Sequence, residues 1–352
     1  MTYWGQLFGL APGTPQVLVA SFALLCTYGV VILPSAALMS YLERKVGADL
    51  QARVGPNRAG PWGMFQPIAD LLKLLQKESI GHRPWGEELW LAVHTMALYS
   101  TVAVLPLGST VLLINTDMSA FLPFWAALVL ALGTMLLGLN QRSIPGWFGG
   151  IRVAAQALAG AFPALITILT AGIRGGGFRW SELAGAQGTL PTSWVAFSSP
   201  FEFVAFLVFV SSGLVLLGVA PFDGGLSTSD IHGGVSSRLN GQRFSLFRLG
   251  RFYGFFLWSI IAVVLFLGAW NIPARVHNML TENSGTFIVQ ILELAVLLSK
   301  TFGLMLVVVW VARVNPRVRS DQITDLTWKV LSPLSLLTLV GTAIWVSWGH
   351  IL

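Results

Sequence analysis

The chain has 352 residues, of which 55% are hydrophobic and only 10% are charged, and its mean hydropathy is +0.72. Soluble proteins carry about 25% charged residues, so this composition excludes a soluble domain and predicts a surface that mostly faces lipid. The single cysteine, Cys26, excludes both a disulfide framework and a thiolate metal site.

About eight apolar segments are long enough to cross a bilayer, which takes roughly 20 helical residues. Their approximate bounds are 16–41, 89–114, 121–139, 153–173, 201–220, 252–272, 286–312 and 330–349. Backbone groups in hydrocarbon must hydrogen-bond within their own segment, so we predict helices. The first segment follows a polar start and is too long for the apolar part of a signal peptide, so we interpret it as a retained span.

The positive charges lie mostly in alternate connections between these segments. By our count the connections after spans one, three, five and seven hold roughly 17 Lys and Arg residues, against about 3 in the opposite set. Because short loops rich in Lys and Arg stay on the cytoplasmic side, both termini are predicted to be periplasmic. The net charge of +6 is then concentrated on the inner face, where it also fits attraction to anionic headgroups.

Two of these connections, 43–88 and 221–251, are longer than ordinary links and are predicted to be functional loops on the cytoplasmic side. Within the first, the stretch from Pro61 to Lys77 predicts an amphipathic helix that lies in the membrane interface. Its apolar face consists of Met64, Ile68, Leu71, Leu72 and Leu75. The whole chain is thus predicted to be one polytopic domain: an all-α integral membrane protein with about eight transmembrane helices and this interfacial helix.

Several motifs resemble one known family. The stretch LERKVGADLQARVGPNRAGPWGMFQPIADLLKLLQKE and the block KTFGLMLVVVWVARVNPRVRSDQITDLTWKVLSPLSLL are similar to the first loop and the last two spans of the H-subunit family of respiratory complex I, known in mitochondria as NADH dehydrogenase subunit 1. Arg152-Val-Ala-Ala-Gln156 and Ala220-Pro-Phe-Asp223 match in the expected order. The resemblance covers nearly the whole chain.

The resemblance implies a heel subunit of the membrane arm of an NADH or ferredoxin:quinone oxidoreductase, in a bacterial inner membrane or an equivalent energy-converting membrane. Such a subunit forms the membrane wall and entrance of the quinone chamber and docks the peripheral arm. Quinone is the substrate, while FMN and iron-sulfur clusters belong to partner subunits. The five histidines are scattered and are interpreted as structural: His82, His94, His232, His277 and His350.

The resemblance also assigns residues to these two roles. The quinone chamber is expected to involve Gln66, Asp70, Lys73, Gln156, Pro221, Phe222 and Asp223. Docking is expected to involve Arg44, Lys45, Arg53, Gly55, Pro56, Asn57, Arg58, Gly60, Arg317 and Arg319, because Gly and Pro set sharp turns and Arg binds carboxylates and carbonyls through several bonds. For the polar residues of the interfacial helix, a solvated helix face is the alternative.

The chain departs from the family where acidic residues are expected. After Pro-Phe-Asp the loop carries glycines, serines and Arg238 in place of glutamates, and Arg251 occupies a position that is usually glutamate. Ala159-Gly160-Ala161 replaces the usual Ser-Tyr-Glu, and a further glutamate is missing near Leu216. The loop glycines predict either a mobile gate or a spacer.

A proton relay needs groups that accept and release protons within reach of one another, so we predict that the acidic relay is altered or absent. The remaining ionisable candidates are Asp223, Asp230, Glu202, Glu293 and Lys300. Asp223 is a candidate partner of Arg238, and Glu293 with Lys300 form either a neutralising pair or part of a relay.

Two further functions remain open at this point. One is a structural and coupling adapter in a specialised relative of complex I that does not reduce quinone at this chain. The other is an independent channel or carrier, which is disfavoured because inverted repeats and paired broken helices are missing from the sequence.

Overall fold

The computed structural model describes residues 29, 33–78, 86–102, 105–109, 115–273 and 286–349. In chain order the helices are α1 (Leu33–Leu50), α2 (Gln66–Gln76), α3 (Glu87–Val102), α4 (Leu122–Asn140), α5 (Ile144–Gly175), α6 (Trp180–Gly185), α7 (Val195–Ser198), α8 (Pro200–Leu217), α9 (Thr228–Ile231), α10 (Gly241–Phe266), α11 (Thr286–Val314), α12 (Ser320–Leu326) and α13 (Ser332–Gly349). A π-helical turn, Thr327–Leu331, joins the last two. The described ranges contain no strand, so the predicted all-α class is confirmed.

Six helical segments within the described ranges are long and apolar enough to cross a membrane. They contain α4, α5, α8, α10, α11 and the stretch from α12 to α13. The predicted spans 16–41 and 89–114 extend beyond the described ranges and are represented there by α1 and α3. The chain is therefore an integral membrane protein. Cys26, His82, His277, His350 and both termini lie outside the described residues, and the orientation of the chain stays a prediction.

Two helices begin well before the predicted spans do. The span predicted from 153 belongs to α5, which begins at Ile144 where the Ser143 side chain accepts a hydrogen bond from the Gly146 amide. The span predicted from 252 belongs to α10, which begins at Gly241. The predicted connections 43–88 and 221–251 are thus partly helical, because residues 43–50 continue α1 and residues 241–251 form the first turns of α10.

Helix α10 forms the centre of the bundle. In its apolar stretch 83% of the residues are buried, against 28% for α11 and 33% for the stretch from α12 to α13. Trp258 stacks on Phe209 of α8 at 4.6 Å between ring centroids and donates to the Phe209 carbonyl. A Cβ on Gly213 would lie 1.7 Å from the Trp258 indole nitrogen, so glycine is required for this close contact.

One end of the bundle, here called the loop end, comprises residues 43–78, 218–240 and 313–325. Its segment 218–240 is packed tightly onto α5 through glycines. A Cβ on Gly225 would lie 2.9 Å from the carbonyl oxygen of Gly149 in α5. Within the segment itself, a Cβ on Gly234 would lie 2.2 Å from the Gly225 carbonyl oxygen. The sequence predicts mobility or a spacer for the glycines of this segment, whereas in the structure these two permit close backbone packing.

The opposite end, here called the far end, comprises residues 105–109, 176–202, 264–273 and 293–300. Gln187 organises it: the side-chain amide donates to the carbonyls of Val264 and Leu265 at the end of α10, and its oxygen accepts from the Gly268 amide at 2.7 Å. Asn271 donates to the carbonyls of Ala184 and Gln187. The bonds to Val264 and Leu265 satisfy carbonyls that a helix C-terminus leaves without partners.

Candidate functional site

A cavity of about 420 Å³ opens at the loop end, between α1, the segment 218–240, α10 and α11. One part of its wall is apolar and contains several aromatic rings. This part is formed by Met39, Val219, Leu226, Phe244, Phe247, Phe252, Phe255, Val308 and Val309. Pockets of roughly 300–1,000 Å³ with apolar walls and few polar groups are typical of small-molecule sites.

The other part of the wall is charged, with four arginines and two carboxylates. The carboxylates are both paired. Arg313 binds Glu43 at 2.5 Å, and Arg317 lies 3.5 Å from Asp223 while its other nitrogen donates to the Ser227 hydroxyl. These contacts tie α11 and the segment after it to α1 and to the segment 218–240.

The remaining two arginines, Arg248 and Arg251, come from α10. Since residues three and four apart share a helix face, they lie beside Phe244, Phe247 and Phe252 on the face towards the cavity. Arg251 donates to the Gly218 carbonyl at 3.0 Å, and its Nε is buried without a hydrogen-bond partner. The Arg248 guanidinium lies 5.4 Å from the centroid of the Phe252 ring.

A smaller groove of about 70 Å³ adjoins this cavity between α1, α2 and α10. Arg248 and Phe252 line both spaces. The wall of the groove is mostly aliphatic, with Ile68 and Leu71 of α2 among its members. Its polar edge is an ion pair between Arg44 and Asp70 at 2.5 Å.

The predicted chamber residues are only partly brought together. Asp223 lines the cavity and Asp70 lines the groove. Gln66 donates to Asp70 at 3.1 Å, whereas Lys73 is exposed and lines neither space.

Gln156, Pro221 and Phe222 lie behind the cavity wall. The Pro221 carbonyl accepts from the Val318 amide at 3.2 Å, and Phe222 packs on the main core. Gln156 is buried with both amide atoms unpaired. A Cβ on Gly224 would lie 2.4 Å from the Gln156 amide nitrogen, so glycine next to Asp223 leaves room for this amide.

The predicted docking residues divide into two groups. Arg53, Asn57, Arg58, Gly60 and Arg319 are exposed, and Lys45, Gly55 and Pro56 are partly exposed. Arg44 and Arg317, by contrast, are engaged in the groove and cavity through Asp70 and Asp223.

The turn between α1 and α2 is held in one conformation by close backbone contacts. A Cβ on Gly63, which has a φ of 80°, would lie 2.3 Å from the Pro56 carbonyl oxygen. The Tyr41 hydroxyl donates to the Trp62 carbonyl at 3.1 Å. This turn also presents two apolar side chains that were not among the predicted site residues: Val54 is 81% exposed and Trp62 is 76% exposed. Large apolar residues within a polar, glycine-rich loop are the sequence signal that could have identified them.

The relay candidates are distributed over both ends of the bundle. Asp230 lies 4.0 Å from Arg152 at the loop end. At the far end, Glu202 is fully buried, accepts from the Ser198 hydroxyl and lies 3.6 Å from Arg174. None of the hydrogen bonds or ion pairs among the described residues joins two of the five candidates.

The two pairings suggested by the sequence are wrong. Glu293 accepts from the Ser109 amide and hydroxyl at 2.8 and 2.9 Å, while Lys300 donates to the carbonyls of Gly268 and Ala269. Arg238 donates to the Gln141 carbonyl, and Asp223 binds Arg317 instead. In each case a nearby backbone group or a residue distant in sequence provides the partner.

His94 lies in the packed interior behind the cavity wall. Its Nδ1 is 3.0 Å from the Thr134 hydroxyl, and its ring stacks on Phe247. Among the residues that the structure describes, no three His, Cys, Asp or Glu side chains come together in a way that could hold a metal ion.

The chain is similar to known proteins over most of its length. The sequence profile of the family described as NADH dehydrogenase matches residues 23–343. The chain is 31% identical to the H subunit of NADH-quinone oxidoreductase from Anaeromyxobacter dehalogenans, over 92% of this chain and 80% of that protein. It is also 31% identical to the protein of the same name from Chlorobaculum tepidum, over 94% of this chain and 90% of that one.

Proposed function

The chain belongs to the NADH dehydrogenase family, and on that premise we propose that it forms the membrane wall and entrance of the quinone chamber in an oxidoreductase related to respiratory complex I. NADH or ferredoxin is the proposed electron donor. FMN and the iron-sulfur clusters are proposed to reside on peripheral-arm subunits, so that this chain is not catalytic alone. Other membrane-arm subunits and the lipid bilayer complete its proposed partners.

The cavity at the loop end is the observation that carries this proposal. Its volume of about 420 Å³ suits a quinone ring, and its aromatic and aliphatic wall suits the ring faces. The adjoining groove between α1, α2 and α10 is lined mostly by aliphatic side chains, as an isoprenoid tail requires. An adapter that reduces no quinone would not need such a space, so the geometry favours the chamber over the adapter.

The docking role is proposed for the exposed turn between α1 and α2. Arg53 and Arg58 are exposed beside the apolar side chains of Val54 and Trp62. A surface that combines arginine with large apolar residues is typical of a protein interface. We therefore assign the peripheral arm to this turn, which orients the loop end towards the cytoplasm.

The proton relay is proposed to differ from that of acid-rich relatives. Asp223 is the relay candidate that lines the cavity, whereas Glu293 and Lys300 are bound to other groups at the far end. Any proton delivered to the quinone would therefore pass through Asp223, through Glu43, which is the other carboxylate of the cavity wall, or through groups on partner subunits.

Filling the cavity tests the proposal. Ala312 lines it, so Ala312→Phe should abolish or strongly lower quinone reduction by the assembled complex while electron transfer to an artificial acceptor upstream persists. Ala295→Phe is a matched control, because Ala295 lies on the same helix and is exposed. Full quinone turnover in Ala312→Phe would contradict the chamber assignment.

A further inference from the structure

The charges that line the cavity do not cancel. Four arginines face two carboxylates, and both carboxylates are already paired with Arg313 and Arg317. Neither Arg248 nor Arg251 has a carboxylate within ion-pair distance among the described residues. Two positive charges therefore remain in excess where the wall also carries aromatic rings.

Positive charge held away from water is unfavourable unless an anion or several acceptors lie beside it. Arg251 has one acceptor, the Gly218 carbonyl, and its buried Nε has none. The planar guanidinium can make two parallel bonds to an anionic oxygen group. The Arg251 guanidinium can therefore donate further hydrogen bonds to a ligand in the cavity.

Resting on the proposed function, we infer that this chamber preferentially binds a quinone ring that carries a negative charge, with Arg251 and Arg248 binding its charged oxygen. The ligand class is a quinone with an ionised ring hydroxyl. A neutral quinone carbonyl would accept a hydrogen bond but leave the excess charge uncompensated. A bound anion would compensate it through charge-assisted hydrogen bonds, which are about twice as strong as neutral ones.

The shape of the wall favours a ring over a phospholipid headgroup as the anion. Phe244, Phe247 and Phe255 line the same cavity as the two arginines. Aromatic side chains pack favourably on a flat ring, whereas a phosphate headgroup gains nothing from them. An anionic lipid is accordingly treated as the competing occupant that the experiment must exclude.

The test uses the purified complex containing this chain, in nanodiscs of phosphatidylcholine, and two probes of nearly equal size. These are 2-hydroxy-1,4-naphthoquinone, which is anionic at neutral pH, and uncharged 1,4-naphthoquinone. The dissociation constant of each is measured by titration calorimetry. The intact complex should bind the hydroxyquinone roughly tenfold more tightly than the neutral quinone, as one additional charge-assisted contact predicts.

Arg251→Gln and Arg248→Gln should each reduce that preference, and the double variant should remove it without abolishing binding of the neutral quinone. The Arg248 guanidinium contacts the Phe252 ring and, in the described part of the chain, donates no hydrogen bond to a backbone carbonyl. If Arg251→Gln fails to assemble because the bond to the Gly218 carbonyl is lost, Arg248→Gln alone still tests the inference. Arg142→Gln is the control, because Arg142 is exposed in the connection between α4 and α5 and should keep the full preference.

The outcomes separate this inference from the proposed function. Equal binding of the two probes by the intact complex, or a preference that persists in the double variant, would overturn the inference and leave the chamber intact. Competitive displacement of the hydroxyquinone by added phosphatidylglycerol would also overturn it, since the arginines would then bind a lipid headgroup. Failure of both probes to bind would refute the proposed function itself.

Discussion

The two ends of the bundle use their ionisable residues in different ways. At the far end, Lys300 donates to the carbonyls of Gly268 and Ala269 and lies 4.7 Å from the centroid of the Trp194 ring, while Glu293 accepts from two groups of Ser109. At the loop end, Arg248 and Arg251 line a cavity of about 420 Å³ and have few protein partners.

This contrast distinguishes structural from functional charge. A charged residue within a membrane protein is costly and usually marks a functional site, yet Lys300 and Glu293 are occupied by fixed backbone and side-chain partners. Their role is to hold α10, α11 and the 105–109 segment together. The proposed substrate site lies at the loop end, where charged side chains border an open cavity and can still form hydrogen bonds to a ligand.

Removing the Gln187 hydrogen bonds at the far end should have the largest effect, which is a loss of stability. Gln187→Leu would leave the carbonyls of Val264 and Leu265 and the Gly268 amide without partners. Each unsatisfied buried group costs about 1–3 kcal/mol, so the variant should unfold several degrees lower or fail to assemble. Thermal unfolding in detergent measures this.

The matched control for that variant is Gln76→Leu, because Gln76 is exposed at the end of α2. It should leave the unfolding temperature within error of the parent protein. If both variants unfolded at the parent temperature, the far end would not be held by the Gln187 hydrogen bonds.

The turn between α1 and α2, which is the proposed docking surface, should show the next strongest response. Arg53→Glu combined with Arg58→Glu places negative charge on the exposed turn and should release the peripheral subunits while the membrane arm stays assembled. Native gel electrophoresis or mass measurement of the purified particle detects the loss. Lys329→Glu serves as the control, since Lys329 is exposed and binds only Asp325 in the described structure. Retention of the peripheral subunits by the double variant would argue against docking at this surface.

A more modest change is expected at Asp223. Asp223→Asn keeps the shape of the cavity wall but removes a group able to exchange protons, and general acid–base groups contribute about 10²–10⁴ in rate. Because partner subunits can supply other acids, we expect a decrease in quinone turnover at or below the lower bound of that range. Asp230→Asn, which alters the carboxylate near Arg152, should have less effect. Equal turnover in all three proteins would remove Asp223 from the mechanism.

Much of the fold follows from sequence, because long apolar runs in lipid can only be helices. Helices α5 and α10 begin before the apolar spans predicted within them, because polar residues can continue a helix where they have partners. Arg243 at the start of α10 binds Glu87 and Glu88 of α3 at 3.1 and 2.9 Å, a contact between residues far apart in the sequence.

The site is less predictable for the same reason. Asp223 and Asp70 are recognised through motifs, but the cavity depends on Glu43, Arg248 and Arg313, which come from three different helices. In the sequence, Arg251 is notable only because it occupies a position where the family usually has glutamate. Its role beside the cavity cannot be read from spacing, since the pairing of Arg317 with Asp223 decides which positive charges are left over.

A structure of the assembled complex with a quinone-site inhibitor bound would decide whether this chain forms the quinone chamber. We predict ligand density in the cavity, between Phe247 and Val308 with its polar end near Arg251, and a tail in the groove beside Ile68. A cavity filled by side chains of partner subunits, with the inhibitor bound elsewhere, would contradict the chamber assignment.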